Sequence, residues 1–277
     1  MEPIKIMVNG MPGNVAVMIG KSVMDDSRFK LIPYSLTGPE ITAKAHKIKE
    51  TSISLVQPDD KDREISYIIK ENSPFICVDY THPSAVNENA MFYCKHELPF
   101  VMGTTGGDRL KLLDTVKAST ISAVISPNMA KQIVGFQAMM SHAADNFPDL
   151  FKGFSLTIKE SHQKGKADTS GTAKAQVSYF NRLGIPFVDE DIEKERDPEI
   201  QKNTWHIPEA YLDAHGWHTY TLISKDKNVK FEFTHNVNGR MVYVEGTLDA
   251  VFYLKKKLNL GVKGEIFSMI DVLKELG

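Results

Sequence analysis

The chain has 277 residues, 42% of them hydrophobic and 25% charged, with 33 basic side chains against 35 acidic ones. Near-neutral balance supplies no field to draw it onto nucleic acid or an anionic membrane, and so ordinary a composition excludes a disordered, fibrous or disulfide-scaffolded chain, leaving small molecules as the expected partners. Cys77 and Cys94 are the only cysteines; Cys77, inside FICVDY, reads as a small buried hydrophobe, in keeping with a reducing compartment.

The first strand is expected almost at Met1, in IKIMVNG, with no charged-then-apolar leader before it, and no apolar run approaches the roughly 20 residues of a membrane-spanning helix, so a soluble chain is expected. A helix over 14–24 follows, then the apolar runs FKLIPYSL and FICVDYT, a helix over 84–94, the run PFVMGTT, a helix over 108–117, the run ISAVIS and a helix over 130–146. Short buried runs separated by helical patterns are parallel βαβ units, and predict a Rossmann-like doubly wound sheet. After Pro148 the pattern changes. GFSLTIKESH alternates as a half-buried strand, 170–183 reads as a helix, and HGWHTYTLIS and VKFEFTHNV form a hairpin around the polar turn 225–228. Residues 188–214, charged and interrupted by proline, read as a surface excursion. Helical patterns over 245–258 and 265–276 close the chain. The expected organisation is an α/β dinucleotide-binding domain from 1–128 and 242–277. Residues 129–241 would make an α+β domain with a mixed or antiparallel sheet, for substrate binding and oligomerisation, and the cleft between the two would be the site.

VNGMPGNVA joins the first strand to the first helix with Gly10 and Gly13. Glycines there allow a tight turn and close backbone approach to a pyrophosphate, and the helix N-terminus adds free N–H groups and partial positive charge. Gly10, Met11, Pro12, Gly13, Asn14 and Val15 are thus candidate cofactor residues. The alternative is a plain strand-to-helix turn. The second strand offers Tyr34, Ser35 and Thr37 but no carboxylate before Glu40, so a 2′-phosphate would not be repelled; NADPH is favoured, with NADH possible, and Ser35 joins the candidates. Gly103, Thr104 and Thr105, in GTTGGD, stand at another strand end and could line the nicotinamide or simply cap the next helix. The GKS of residues 20–22 lies inside the first helix and has the wrong spacing for a phosphate loop.

In KESHQKGKADTSGTAKA, Glu160 and His162 share a strand face, Lys164 and Lys166 follow in a loop, and Ser170, Gly171 and Thr172 open a helix. That helix end and a lysine could hold an anion, leaving His162 for proton transfer near neutral pH; the competing reading is a solvated basic loop with a helix cap. His215 and His218 lack a third ligand for zinc, and no metal is expected. His235 reads as a core histidine beside Phe231 and Phe233, Arg240 as an anion or interface group, and Trp205 and Trp217 as packing residues.

ESHQKGKADTSGTAKA resembles the catalytic motif of the 4-hydroxy-tetrahydrodipicolinate (dihydrodipicolinate) reductases, and VDYTHPSAVNENA, PFVMGTTGGD, VISPNMAKQIVGF and FEFTHNVNGRMVYVEGTLDAV resemble that family in the same order. Gln163 after the histidine is the plant and algal form. The resemblance implies that His162 is the acid/base residue and Lys166 the partner that meets negative charge at the ring nitrogen. It also implies that Ser170, Gly171 and Thr172 bind a substrate carboxylate, and that Asn128 lies near the cofactor. Departures from the bacterial pattern are a loop one residue shorter between Lys166 and Ser170, Gln163 for a second histidine, and Val15-Ala16 for Met-Gly. The implied reaction is NAD(P)H-dependent reduction of a cyclic imine dicarboxylate in lysine biosynthesis through diaminopimelate. The implied assembly is a homodimer or homotetramer, in a bacterial cytoplasm or a plastid stroma. An aspartate or homoserine dehydrogenase-like enzyme and a non-catalytic NADPH-sensing regulator are the rival readings.

Overall fold

The computed structural model of the chain describes residues 2–276 and divides into two compact units, the first formed by the chain up to Lys131 and again from Tyr243, the second by 132–242. The first unit opens with β1 (Ile4–Asn9), α1 (Asn14–Asp25), β2 (Phe29–Leu31), β3 (Tyr34–Leu36), β4 (Ala45–Ile48), β5 (Thr51–Val56), α2 (Lys61–Asn72) and β6 (Ile76–Asp79). It continues through α3 (Val86–Lys95), β7 (Phe100–Met102), α4 (Arg109–Lys117) and β8 (Ala123–Ile125). FKLIPYSL is not the single strand expected. Pro33 has no N–H for a ladder, and β2 and β3 on either side of it join different sheets. The hairpin of β4 and β5, turning at Lys49 with φ 51°, was not anticipated from the sequence.

The second unit contains α5 (Lys131–Asn146), all but its first residue, then β9 (Ser155–His162), α6 (Gly171–Arg182), β10 (Glu193–Glu195), α7 (Pro198–Asn203), β11 (His215–Ile223) and β12 (Lys230–Asn238). Its sheet runs β10-β9-β11-β12, parallel between β10 and β9 and antiparallel elsewhere. From His218 onward β11 alternates buried and half-buried residues. Met140 and Ala144 of α5 and Ala173, Val177 and Phe180 of α6 share one core with Ile158, Tyr220 and Leu222 of the sheet. Burying an aromatic or aliphatic side chain of this size contributes about 1.5–3 kcal/mol. The segment 188–214 is not a surface excursion. It supplies β10 and α7, and its Ile192, Gln201 and Ile207 are buried.

The chain returns to the first unit through α8 (Met241–Asn259), β13 (Ile266–Phe267) and α9 (Met269–Leu276). The helix expected over 265–276 starts late because Ile266 and Phe267 pair with Ala123 and Val124, after which Ser268 and Asp271 exchange capping hydrogen bonds. The main sheet has the order β13-β8-β7-β6-β1-β2, all parallel. β1 is buried along its length except for Lys5, and β6 throughout, as strands covered on both faces must be. The strand order reverses direction at β1 and β6. Ligands bind outside the carboxyl ends of strands at such a switch point, which puts Asn9-Gly10 and Asp79-Tyr80 at the place to look. Among the described residues no helix is long and apolar enough to cross a membrane.

Candidate active site

Gly10 sits at φ +106°, and a Cβ there would stand 2.1 Å from the carbonyl oxygen of Tyr80, so only glycine fits. Its N–H donates to the Leu36 carbonyl and its own carbonyl accepts from the Gly13 N–H, each at 2.8 Å, closing a turn directly before α1. Gly13 occupies the N-cap without a side-chain cap, and the first turn carries no acidic residue. The positive end of the helix is therefore unneutralised. It opens onto two cavities. One of ≈ 810 Å³ is lined by residues 10–13, Thr37, Glu40 and Lys61 among others; the other, of ≈ 270 Å³, brings Gly13, Asn14 and Val15 together with Gly103, Thr104 and Thr105. An uncapped helix end, a glycine that admits no Cβ and cavities on both sides of the turn fit a dinucleotide, with the turn and helix end at its pyrophosphate.

Two expected cofactor residues stand differently. Ser35 is fully buried and its hydroxyl accepts the Met11 N–H at 3.1 Å, so it braces the turn from behind. Asn128 uses its side-chain oxygen to accept the Ala130 N–H at 2.9 Å at the entry to α5.

The strand ends are joined by a buried carboxylate that sequence reasoning missed. Asp79 is 0% exposed. Its Oδ1 accepts from the hydroxyls of Thr104 (2.6 Å) and Thr81 (2.8 Å), and its Oδ2 from Tyr93 (2.7 Å) and the Asn89 amide (3.0 Å). Asn9 donates to the Tyr93 hydroxyl and accepts the Leu36 N–H, each at 2.9 Å. Burial together with the Asp79 charge holds the Tyr93 phenol well above its ordinary range, so it remains a donor. The ends of β1, β3, β6 and β7 are thus tied to one anion. An acid closing the otherwise apolar run FICVD was the available signal.

In the second unit β9 delivers Glu160, Ser161 and His162, all buried. Period-two alternation puts Glu160 and His162 on one face, and His162 Nδ1 lies 3.7 Å from Glu160 Oε1. His218 of β11, paired with Glu160 in register, brings Nε2 to 3.7 Å from Oε2. Arg196 donates to Oε1 and the Ser170 N–H to Oε2, the latter at 3.1 Å. Burial opposes this charge, but the nearby His218 imidazole, the Arg196 hydrogen bond, the field of His162 and the Ser170 N–H overcome it and lower the carboxyl to about 2. Burial, His218, Arg196 and Lys166 lower His162 to about 3 against the pull of Glu160, so the imidazole is neutral at physiological pH. Its Nδ1 is buried without a hydrogen bond, which leaves Nε2 as the nitrogen available to a ligand. Gly216, opposite His162 in the ladder, makes the room: a Cβ there would stand 3.2 Å from Nε2.

Glu160, His162 and His218 place ligand atoms within 4.8 Å of one another, the one such group of three among the described residues. The Arg196 guanidinium already balances that carboxylate, and a second cation there would meet repulsion. His215 instead hydrogen-bonds Ser161 at 2.9 Å. His218 stacks on His235 at 4.6 Å, and His235 lies 3.2 Å from the Tyr220 hydroxyl.

Lys166 is partly buried, with Nζ on Asp168 at 2.7 Å. Ser170 caps α6 by accepting the Thr172 N–H at 3.2 Å, no acid occupies the first turn, and nothing lies within 4 Å of a Cβ built on Gly171. One short stretch thus presents a neutral imidazole, an ammonium and a helix N-terminus free of acidic residues, a set able to hold a carboxylate and to meet developing negative charge.

Comparison with known proteins places these features in a family. The family described as dihydrodipicolinate reductase, N-terminus, matches residues 4–129, and its C-terminus counterpart residues 133–273. Over 272 residues the chain is 44% identical to 4-hydroxy-tetrahydrodipicolinate reductase 1, chloroplastic, of Arabidopsis thaliana, covering 98% of this chain and 78% of the relative. The 4-hydroxy-tetrahydrodipicolinate reductase of Methanocaldococcus jannaschii is 26% identical over 98% of this chain and 97% of its own. Dipicolinate-bound dihydrodipicolinate reductase from Paenisporosarcina sp. TG-14 shares the fold, with TM-score 0.64 and 17% identity over 96% of this chain and 97% of that one. An α/β unit with an open glycine turn, a second unit built on a mixed sheet, and family matches over nearly the whole length lead to one conclusion: the chain belongs to the dihydrodipicolinate reductase family.

Proposed function

We propose that the chain reduces 4-hydroxy-tetrahydrodipicolinate to tetrahydrodipicolinate with a reduced nicotinamide, one hydride and one proton being added and the 4-hydroxyl leaving as water, with the Gly10–Val15 turn and residues 103–105 holding the cofactor. The observation that carries the reading is the meeting of a neutral His162, the Lys166 ammonium and the Ser170-capped end of α6 within one strand-loop-helix segment. When bound, the cofactor supplies the hydride. Ser170, Gly171 and Thr172 receive a substrate carboxylate at the helix end. Lys166 presents an ammonium to the ring nitrogen, where it stabilises negative charge and donates a proton. His162 offers Nε2. An anionic substrate beside it offsets part of the burial that keeps it neutral, so proton uptake by His162 accompanies substrate binding.

NADPH is the preferred donor in this reading, because Leu36, Thr37 and Gly38 end β3 without a carboxylate and Lys61 lines the same cavity, although Glu40 lines it too. Ser35 and Asn128 act as supports for the cofactor loops. The reading includes a homodimer or homotetramer, a cyclic dicarboxylate substrate, and a plastid stroma or bacterial cytoplasm. The plastid is suggested by the names of the plant relatives.

The test couples the chain to an upstream synthase supplied with pyruvate and aspartate semialdehyde and follows NADPH and NADH absorbance. Consumption above the blank is expected, faster with NADPH. Folded protein that binds the cofactor but consumes none would remove the reductase reading in favour of sensing.

A further inference from the structure

Arg196 follows β10 and plays no part in the scheme above. Its Nε donates to the Lys166 carbonyl at 2.8 Å, and its Nη1 to the Glu195 carbonyl at 2.8 Å. Nη2 donates to the Glu160 carboxylate and reaches the Asp168 carbonyl at 3.4 Å. One planar cation therefore joins the end of β10, a fully buried acid on β9 and both ends of the turn from Lys166 to Asp168. The neighbouring segment supports it. Asp197 caps α7, and Gln201 of α7 donates to the His162 carbonyl at 2.7 Å and the Glu195 carbonyl at 3.2 Å. Within 163–169 the backbone makes one hydrogen bond of its own, Lys166 N–H to the Gln163 carbonyl, and Gly165 loosens it further.

We propose that Arg196 is a positioning residue for the reduction, holding the loop that carries Lys166 and fixing the charge of the Glu160 carboxylate behind His162. The assignment rests on the reductase reading. Arg196 acts through these two groups and need not touch substrate. Lysine cannot replace it, since one nitrogen on a flexible stem does not present a planar fork to four acceptors. The groups facing His162 are Glu160 on its own strand, His218 on β11, Arg196 after β10 and Lys166 in the loop. Loss of Arg196 leaves Glu160 uncompensated beside the imidazole and draws a proton onto it.

The test uses the full chain with Arg196→Met and Arg196→Lys. It reads kcat, substrate KM, NADPH affinity and, by histidine-labelled NMR without ligands, the titration of His162, whose resonance is assigned by its absence in His162→Gln. In Arg196→Met, kcat is expected to fall about 10- to 100-fold with NADPH affinity unchanged, and the His162 midpoint to rise by about one pH unit or more. Arg196→Lys should restore the titration while kcat stays about tenfold down. Wild-type kcat in either variant overturns the proposal, as does a fall in kcat in Arg196→Met with the titration unmoved. If Arg196→Met does not fold, Arg196→Lys decides by its kcat. Absence of turnover in the wild-type chain would count against the reductase reading alone, because the titration is read without substrate or cofactor.

Discussion

Acidification from pH 7 to pH 5 should destabilise the second unit by an amount that its buried and half-buried histidines set. His162 and His235 are each lowered to about 3, first by burial and then by His218, and His215 is lowered as well. In the unfolded chain these imidazoles titrate at about 6.5. Between about pH 6.5 and pH 3 the unfolded state therefore binds more protons, and stability falls as pH falls. For a histidine with these two midpoints the loss between pH 7 and pH 5 is about 2 kcal/mol. His162 and His235 together give about 4 kcal/mol, a large share of the 5–15 kcal/mol that holds an ordinary domain. Glu160 has the same sign but a lower window, from its unfolded value near 4.5 down through about 2, so it adds nothing above pH 5. The assay is urea unfolding of the whole chain at pH 7, 6 and 5, followed by the fluorescence of Trp205 and Trp217, both in the second unit. His235→Asn should remove about half of the pH dependence. A midpoint that stays level or rises on acidification, at constant m-value, would refute the assignment of neutral, desolvated imidazoles.

Gly10→Ala would put a Cβ 2.1 Å from the Tyr80 carbonyl in a conformation alanine avoids. NADPH fluorescence titration should show affinity reduced at least about tenfold, and unchanged affinity would separate the turn from cofactor binding. Lys166→Ala should lower kcat about 100-fold with NADPH affinity kept, and wild-type turnover would remove the ammonium from the chemistry. Gly216→Ala crowds His162 Nε2 from 3.2 Å. It should lower kcat about tenfold while the far-ultraviolet circular dichroism is unchanged, and full activity would mean that Nε2 needs no such clearance.

Sequence reasoning succeeded where structure follows from local pattern and stopped where it depends on distant partners. The buried runs around Val8, Val78, Val101 and Val124 carry the parallel sheet in their composition, and the alternation through Tyr220 and Leu222 carries the hairpin. At the site, Glu160 and His162 were legible as one strand face because their spacing alone decides it. Arg196 was not. Its segment is charged and broken by Pro198, as a surface loop would be, and only the fold turns its guanidinium onto Glu160. Ser35 is undecided by its sequence for a similar reason: a hydroxyl at a strand end suits a ligand and a backbone N–H equally, and in the fold the Met11 N–H donates to it. The end of the chain shows the limit again, since Ile266 and Phe267 suit a helix until β8 offers them an edge.

The tie among the strand ends at Asp79 bears on the energetics of nucleotide capture. With the Thr81, Asn89, Tyr93 and Thr104 side chains already committed to it, the loops after β6 and β7 are ordered by folding rather than by ligand. Association should then resemble insertion into a rigid receptor: a heat-capacity change no larger than the covered apolar area requires, and little of the ordering penalty that a floppy nucleotide loop would levy.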